Sequence, residues 1–557
     1  MTHFADRLGA SLQKRAQVLY IMRYVYKGGV TVKVLVTDEI AEEGLQVLRR
    51  LGNIDIVVRT GLSESELLQE IADADALLVR SQTQVTDRVI AAGAKLRAIG
   101  RAGVGVDNID VNAATRRGVV VVNAPDGNTI AAAEHTLAML LALARHIPQA
   151  YVSVCDGKWS RGRFVGVELR GKTLAVVGMG RIGTEVAKRA LAFQMNVLGY
   201  DPYLTDERAE SLGIQRVTLD EAIANADFIT VHTPLLKETH HLLDVNAFDK
   251  MKPGVRIINC ARGGIIDEKA LVEALQIGKV AGAALDVFEQ EPLPADHPLR
   301  ACENVILTPH LGASTVEAQS LVAVAVAEEV VNILTDKPFR NAVNLPSMTE
   351  EQKRNLQPYL TLGEKLGKFV GQLLLHPSVQ VDITYSGDIA NHDVSLLTRT
   401  VLKGLLAQTY ADEVNFINAL VVAKEKGIHV REVRQSSKVF TNMISVTAAT
   451  KEEQHTVSGT LYNGYGPKIV EIDGFRIDVA PEGNLLYTLH RDKPGMIGKI
   501  GTLIGDAAIN IAGMQVGRHE QGGDAVMLLS VDKAIPADIV ERVRQIPDLV
   551  QVRSIEL

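Results

Sequence analysis

The chain is poor in cysteine, poor in aromatics and without a long apolar run, and each shortage excludes something. Three cysteines, Cys155, Cys260 and Cys302, lie far apart in 557 residues. An odd, scattered set fits reduced thiols in a cytosolic enzyme and not a disulfide framework, so a cytoplasmic location is expected. No run of apolar residues approaches the roughly 18 that cross a membrane. Basic excess is missing too: 59 Lys and Arg face 66 Asp and Glu, for a net charge of −7. With no zinc-ligand spacing and no basic run interleaved with aromatics, neither nucleic acid, membrane nor a bound metal is expected. What remains, 46% apolar and 22% charged residues, is the composition of an ordinary globular protein.

At about 150 residues per domain, the length implies three or four domains. Residues 1–30 stand apart, with Arg7, Lys14, Arg15, Arg23 and Lys27 against the single acid Asp6. They are expected to form a poorly ordered extension, a transit peptide being the alternative. From Thr31 short β-branched runs alternate with helical stretches: Val32–Thr37, Ala76–Val79, Leu96–Gly100 and Val119–Val122, then a second series from Leu174 through Val305–Leu307. This predicts two tandem doubly wound α/β units of the Rossmann type, joined by a helix over Ile130–Arg145 and enclosing a cleft at their strand ends. The first is expected over residues 31–128 and 308–343, the second over 129–307. After Asn344-Leu-Pro346 the rhythm changes. A third, α+β domain is expected over 344–482, with hairpin signals at Asn463-Gly464 and Asp473-Gly474. Residues 483–557 read strand, helix, two strands, helix, strand, the βαββαβ order of a small ferredoxin-like domain.

The segment Thr173-Leu-Ala-Val-Val-Gly178-Met-Gly180-Arg-Ile-Gly183 is an apolar strand running into G-x-G-x-x-G. Gly178 permits the tight turn, Gly180 lets backbone N–H groups approach a pyrophosphate, and Gly183 lets the next helix pack on its strand. Asp201 follows at the next strand end. A carboxylate there accepts from two free ribose hydroxyls and repels a 2′-phosphate, which selects NAD over NADP.

Hydride removal from a secondary alcohol leaves a hydroxyl proton, and histidine is the efficient acceptor near neutral pH. His310 in Thr308-Pro-His-Leu-Gly312 follows the last strand of the nucleotide unit. A carboxylate to orient it is available from Asp286, Glu289 or Glu291, and spacing does not choose among the three. Arg262 in Asn259-Cys-Ala-Arg-Gly-Gly264 offers a planar fork suited to an α-carboxylate, or alternatively a structural salt bridge.

Taken together, Gly100–Asn108, Gly178–Gly183, His232–Leu235, Asn259–Asp267, Asp286–Pro292 and Pro309–Thr315 resemble the D-isomer-specific 2-hydroxyacid dehydrogenases, and most closely their long members. The resemblance implies that His310 is the base, Glu291 its orienting acid, Arg262 a substrate ligand, and Asp286 a partner of the nicotinamide carboxamide. It also places Arg181, Ile182, Thr233, Pro234, Cys260, Ala261 and Gly312 along the cofactor. Arg80, Ser81, Arg101, Gly103 and Val104 fall on the substrate side, where Val104 lacks the hydroxyl that some relatives carry. Lys158, Arg161 and Arg163 are candidate phosphate ligands from a neighbouring subunit, or a solvated charge cluster; Trp159 among them is a candidate subunit anchor, or partly buried in its own subunit.

Long members of the family carry an intervening domain and an ACT domain, so residues 344–482 and 483–557 are expected to be these. Such ACT domains bind L-serine between paired subunits, and His490, Asp492 and Asn510 match the ligand positions, with Asp492 standing where some members have Asn. The resemblance thus implies NAD-dependent oxidation of 3-phospho-D-glycerate to 3-phosphooxypyruvate, the first step towards serine, by a homodimer or homotetramer subject to serine feedback. The competing expectations are a glyoxylate, hydroxypyruvate or 2-oxoglutarate reductase, and an NAD-sensing corepressor of the C-terminal-binding-protein type.

Overall fold

The computed structural model describes residues 31–557 apart from 347–349, 411–412, 437–439 and 463, so the expectations for residues 1–30 and for Asn463 lie outside the described residues. Strands β1 (Val32–Val36), β2 (Ile54–Val58), β3 (Ala76–Val79), β4 (Ala98–Arg101) and β5 (Val120–Asn123) form a parallel sheet of order β2-β1-β3-β4-β5. All four residues of β3 are buried, as a strand covered by helices on both faces must be. The edge strand β2 escapes sequence reading because its Ile-Asp-Ile-Val-Val is only half buried. The helix Val316–Leu334 returns to this sheet, where Val322, Val326 and Val330 pack with Val34, Val36 and Leu78. Gly100 makes room for it: a Cβ there would stand 2.9 Å from the methyls of Val326 and Val330.

The second sheet is also parallel and has seven strands, β6 (Thr173–Val177), β7 (Asn196–Tyr200), β8 (Gln215–Arg216), β9 (Phe228–Val231), β10 (Val255–Asn259), β11 (Val280–Leu285) and β12 (Val305–Leu307), in the order β12-β11-β10-β9-β6-β7-β8. The order reverses between β6 and β9. In open α/β sheets ligands bind at such a switch point, outside the carboxyl ends of the strands. The helix Thr129–Arg145 joins the two sheets and buries Leu137, Leu140 and Leu143 against the second. Both units therefore have the doubly wound form expected from the sequence.

Beyond Pro346, six strands make a mixed sheet of order β14-β13-β15-β16-β17-β18: β13 (Gln380–Gly387), β14 (His429–Gln435), β15 (Asn442–Ala449), β16 (Gln454–Tyr462), β17 (Gly466–Ile472) and β18 (Phe475–Val479). Helices Glu350–Leu373 and Ser395–Tyr410 pack on it and on each other at backbone distance. Gly363, Gly367 and Gly371 recur one turn apart along the contact, and a Cβ on Gly367 would lie 2.0 Å from the carbonyl oxygen of Val401. The last strands, β19 (Asn484–Arg491), β20 (Ile511–Arg518), β21 (Asp524–Val531) and β22 (Leu549–Glu556), form an antiparallel sheet of order β20-β21-β19-β22 with helices Met496–Asp506 and Ala537–Arg544, the expected βαββαβ arrangement. Its other face is not solvent exposed. Leu485, Tyr487, Val526, Leu528 and Ile555 enter the same core as Leu366, Phe369 and Val370 of the preceding unit. That preceding unit in turn sits on the first sheet's unit, where Asn415 donates to the Gly118 carbonyl at 2.8 Å and Ile417 enters the core beside Val120.

Candidate active site

The turn after β6 has the geometry that a pyrophosphate needs. Gly178 has φ 98°, a region L side chains avoid, and a Cβ on Gly183 would stand 1.9 Å from the Gly178 carbonyl oxygen, so only glycine lets the helix Arg181–Ala192 start against the strand. Gly180 differs, since a Cβ there meets nothing within 4 Å. The helix has no side-chain cap, which leaves its first N–H groups and positive dipole end for an anion. Asp201 is pinned at the end of β7, accepting from Met179 N–H at 2.9 Å and Tyr203 N–H at 2.8 Å. Each carboxylate oxygen keeps a lone pair for a ribose hydroxyl. Thr233 supplies a buried hydroxyl without a protein partner among the described residues. These observations fit a dinucleotide. Arg181, whose Nε is 2.6 Å from Asp126 Oδ1, lies at the start of the helix, while Ile182 is partly buried beside it and Pro234 is exposed.

Asp286 leaves β11 fully buried. Its Oδ1 accepts from Thr308 Oγ1 (2.6 Å) and Leu311 N–H (2.8 Å), its Oδ2 from Gly312 N–H (2.8 Å), and His135 Nε2 lies 3.2 Å away. Burial works against its charge, but the bonds from His135, Thr308 and Leu311 hold its carboxyl below the usual range. A carboxylate offers about four acceptor sites, so Oδ2 retains one for a carboxamide. His135, Cys260 and Asp286 could supply metal-ligand atoms within 4.8 Å of one another. Burial and the Asp286 charge push the Cys260 thiol far up, and the carboxylate is already engaged, so the trio is a hydrogen-bonded core and a poor ligand set.

His310 stands at φ 56° with its N–H on the Asp286 carbonyl oxygen at 2.9 Å, so the loop that Asp286 holds also aims the imidazole. Its Nδ1 is 2.8 Å from Glu291 Oε2, while Glu291 Oε1 accepts from Phe288 N–H at 3.0 Å. Glu291, and neither Asp286 nor Glu289, is therefore the acid that meets the histidine. Burial opposes the Glu291 charge, but His310 and the Phe288 N–H hold its carboxyl below the ordinary range. Glu289 faces away, with His241 Nε2 3.1 Å from its Oε1.

Arg262 crosses the cleft. Its Nε donates to Asp107 Oδ2 at 2.8 Å, and its Nη1 to the Ala261 carbonyl at 2.7 Å. Gly105 permits the crossing, since a Cβ there would be 1.8 Å from an Arg262 nitrogen. Asn259, 2% exposed, accepts from Ala261 N–H at 3.0 Å and donates to the Arg262 carbonyl at 2.9 Å, which fixes the turn. Opposite lies Arg101, whose guanidinium packs over Gly103 so closely that a Cβ on that glycine would be 1.6 Å away. Burial first, then the Arg262 and Arg80 charges, pull Arg101 down to about 10 against the pull of Asp107 and Asp38. Its buried Nε has no partner among the described residues. A guanidinium so placed awaits an anion. Val104 presents its carbonyl to Asn123 Nδ2 at 2.5 Å, and Ser81 is exposed.

Away from the cleft, Trp159 is 79% exposed and Arg163 pairs with Glu303 at 2.8 Å. The C-terminal trio is not gathered within one chain. His490 is buried at one end of β19, next to Asp492, which accepts from Arg518 at 2.6 Å. Asn510 donates to Asp532 at 2.8 Å, beyond the other end, where Ile511 and Asn484 both pair with Val531. At about 3.4 Å per residue the two sites lie roughly 20 Å apart. Sequence reading missed Asp107, His135, Asn259 and Asn123. Asp107, two residues beyond the R-A-G-V-G run, and Asn259, the first residue of N-C-A-R-G-G, carried a signal by position; His135 and Asn123 carried none.

The NAD-binding-domain profile of the D-isomer specific 2-hydroxyacid dehydrogenases matches residues 137–312, that of the D-3-phosphoglycerate dehydrogenase intervening domain residues 355–473, and that of the ACT domain residues 485–548. The D-3-phosphoglycerate dehydrogenase of Bacillus subtilis is 49% identical over 526 residues, covering 94% of this chain and 99% of that protein. The same enzyme of Methanocaldococcus jannaschii is 47% identical over 527 residues, with 94% and 100% covered. Among solved structures, D-lactate dehydrogenase from Aquifex aeolicus complexed with NAD and lactic acid superposes with TM-score 0.51 at 30% identity, over 56% of this chain and all of that one. By its profiles and its near full-length relatives, the chain belongs to the D-3-phosphoglycerate dehydrogenases, long members of the D-isomer-specific 2-hydroxyacid dehydrogenase family.

Proposed function

We propose that this chain oxidises 3-phospho-D-glycerate to 3-phosphooxypyruvate with NAD, the step that commits carbon to L-serine. The observation that carries the chemistry is the His310–Glu291 contact of 2.8 Å at the mouth of a cleft that Arg262 spans. Bound NAD supplies the hydride acceptor. Glu291 holds the proton on Nδ1 and leaves Nε2 of His310 to take the hydroxyl proton of the substrate, and the carboxylate stabilises the imidazolium that results. Arg262 binds the α-carboxylate as a two-pronged donor, exchanging Asp107 for the substrate. Arg101 and Arg80 receive the far anionic end. Residues 31–128 with 308–343 act as the substrate lobe and 129–307 as the cofactor lobe.

Assembly and control belong to the same reading. The helix Ile147–Cys155 buries none of its residues, and Ile147, Tyr151, Val152, Val154 and Trp159 are all more than half exposed. An apolar helix left bare on a folded unit is a surface for a second copy, so the active species is a homodimer or homotetramer. L-serine acts at the C-terminal sheet. His490 with Asp492 and Asn510, at opposite ends in one chain, come together when a two-fold neighbour runs antiparallel along the edge strand β20. No single helix among the described residues is long and apolar enough to cross a membrane. A cytoplasmic location is part of the same proposal, supported by the three free cysteines Cys155, Cys260 and Cys302. Initial rates with NAD on 3-phospho-D-glycerate, D-glycerate, D-lactate, glycolate and D-2-hydroxyglutarate test the reading. Preference for the phosphorylated acid by an order of magnitude or more in kcat/KM is expected, and preference for another acid sinks the substrate assignment.

A further inference from the structure

Asp38 follows β1 at its carboxyl end and is 2% exposed, and no role assigned above uses it. Its Oδ2 accepts from the backbone N–H of Arg80 at 2.6 Å, of Gln82 at 3.2 Å and of Thr83 at 3.3 Å. Its Oδ1 accepts from Thr83 N–H at 3.2 Å and from Thr83 Oγ1 at 2.5 Å. A carboxylate taken out of water is costly unless donors replace the lost hydration, and here one short turn supplies them. The same turn is held by its carbonyls, because Asn108 Nδ2 donates to Arg80 O at 2.8 Å and to Thr83 O at 2.7 Å. The polar backbone of residues 80–83 is thus gripped from both sides. The Arg80 guanidinium is left outside this grip, with Nη1 3.5 Å from the Glu39 carbonyl. Asp38 also adds a negative charge to the field of Arg101, where Arg80 and Arg262 repel it.

We propose that Asp38 is a positioning residue of the substrate-anion site: by collecting the N–H groups of the turn after β3 it fixes the direction from which Arg80 meets the phosphate or carboxylate of the substrate. The proposal rests on the reading above that Arg80 receives an anionic end. Asparagine is the discriminating replacement. Its amide keeps one acceptor oxygen but turns an NH2 towards N–H donors, so the turn loses half its anchor while the volume is unchanged.

A double-mutant cycle tests this with wild type, Asp38→Asn, Arg80→Ala and the pair, reading kcat and KM for 3-phospho-D-glycerate, KM for NAD, and the melting temperature. Asp38→Asn should lower kcat/KM for the phosphorylated acid by about 10–100-fold, chiefly through KM, with KM for NAD within about twofold of wild type. In the Arg80→Ala background the same substitution should add less than about twofold, because a residue that acts through Arg80 has nothing left to position. A full loss that persists without Arg80, or a wild-type kcat/KM in Asp38→Asn, overturns the proposal. Wild-type kinetics in Arg80→Ala alone would instead remove the reading on which it stands, and the proposal with it. Should Asp38→Asn not fold, Thr83→Val takes its place in the cycle. It deletes the hydroxyl that reaches Asp38 and Thr37 while leaving the backbone bonds of the turn, and its loss must likewise vanish without Arg80.

Discussion

His310 and Glu291 divide one task, and their substitutions should separate the parts. His310→Asn removes the proton acceptor and should lower kcat about 10²–10⁴-fold with NAD binding near normal, as stopped-flow titration can show. Glu291→Gln keeps the shape but withdraws the charge that favours the imidazolium. In that variant kcat should fall, but by less than for His310→Asn, because the imidazole is still there to take the proton. An unchanged kcat in Glu291→Gln would mean that the carboxylate charge does not assist the base. Asp201 makes the complementary prediction for the cofactor: Asp201→Ala should raise KM for NAD and narrow the preference over NADP, measured by paired titrations.

At the scale of elements, the crossing of Glu350–Leu373 over Ser395–Tyr410 depends on glycine. Gly367→Ala adds about 1 kcal/mol of helix propensity but drives a Cβ to within 2.0 Å of the Val401 carbonyl oxygen, and relieving that contact by parting the helices costs about 1–3 kcal/mol. The clash should win, lowering the urea midpoint of the C-terminal half. These helices also show where sequence reading ends. The strands β1, β3, β6 and β9 announced themselves as apolar runs because both their faces are covered. The helix Glu350–Leu373 did not, with Pro358 inside it and three glycines that look like breakers until their packing partner is known. In the site the same divide holds. His310, Arg262, Asp201 and Asn259 lie in motifs at strand ends, whereas His135 matters through what it touches across the fold, Asp286 at 3.2 Å. The choice of Glu291 over its two neighbours needed the imidazole's position.

His455 links the sheets of the C-terminal half to pH. It is 9% exposed, with Nδ1 2.7 Å from Asp473 Oδ2 and Nε2 3.6 Å from Glu453 Oε2. Burial alone would lower its pKa, but Asp473 and Glu453 raise it above the ordinary 6.5. A group raised on folding stabilises below its unfolded pKa, and that contribution fades as pH rises through the folded value. The melting temperature of wild type should therefore fall relative to Asp473→Asn above pH about 6.5, by on the order of 2–4 °C for each kcal/mol lost. Asparagine tolerates the φ of 49° at this position and keeps one oxygen for the Thr456 N–H, but it turns an NH2 towards His455, so the comparison reads the charge together with the hydrogen bond it accepts. At the largest scale, Asn510→Ala should lift inhibition by L-serine and leave the uninhibited rate unchanged. Calorimetry showing no serine binding to the whole protein at millimolar ligand would sink the regulatory reading and leave catalysis standing.

Leu485, Tyr487, Val526, Leu528 and Ile555 share their core with Leu366, Phe369 and Val370, and this makes the last sheet a poor detachable cassette. A chain cut near residue 483 would bare a broad oily face on the piece left behind, and grafting the C-terminal segment alone onto another enzyme would bare the matching face on the graft. Any transplant or truncation must take residues 350–557 as a single block, and hydrogen exchange should find the amides of β13 and β19 opening together, as one cooperative unit.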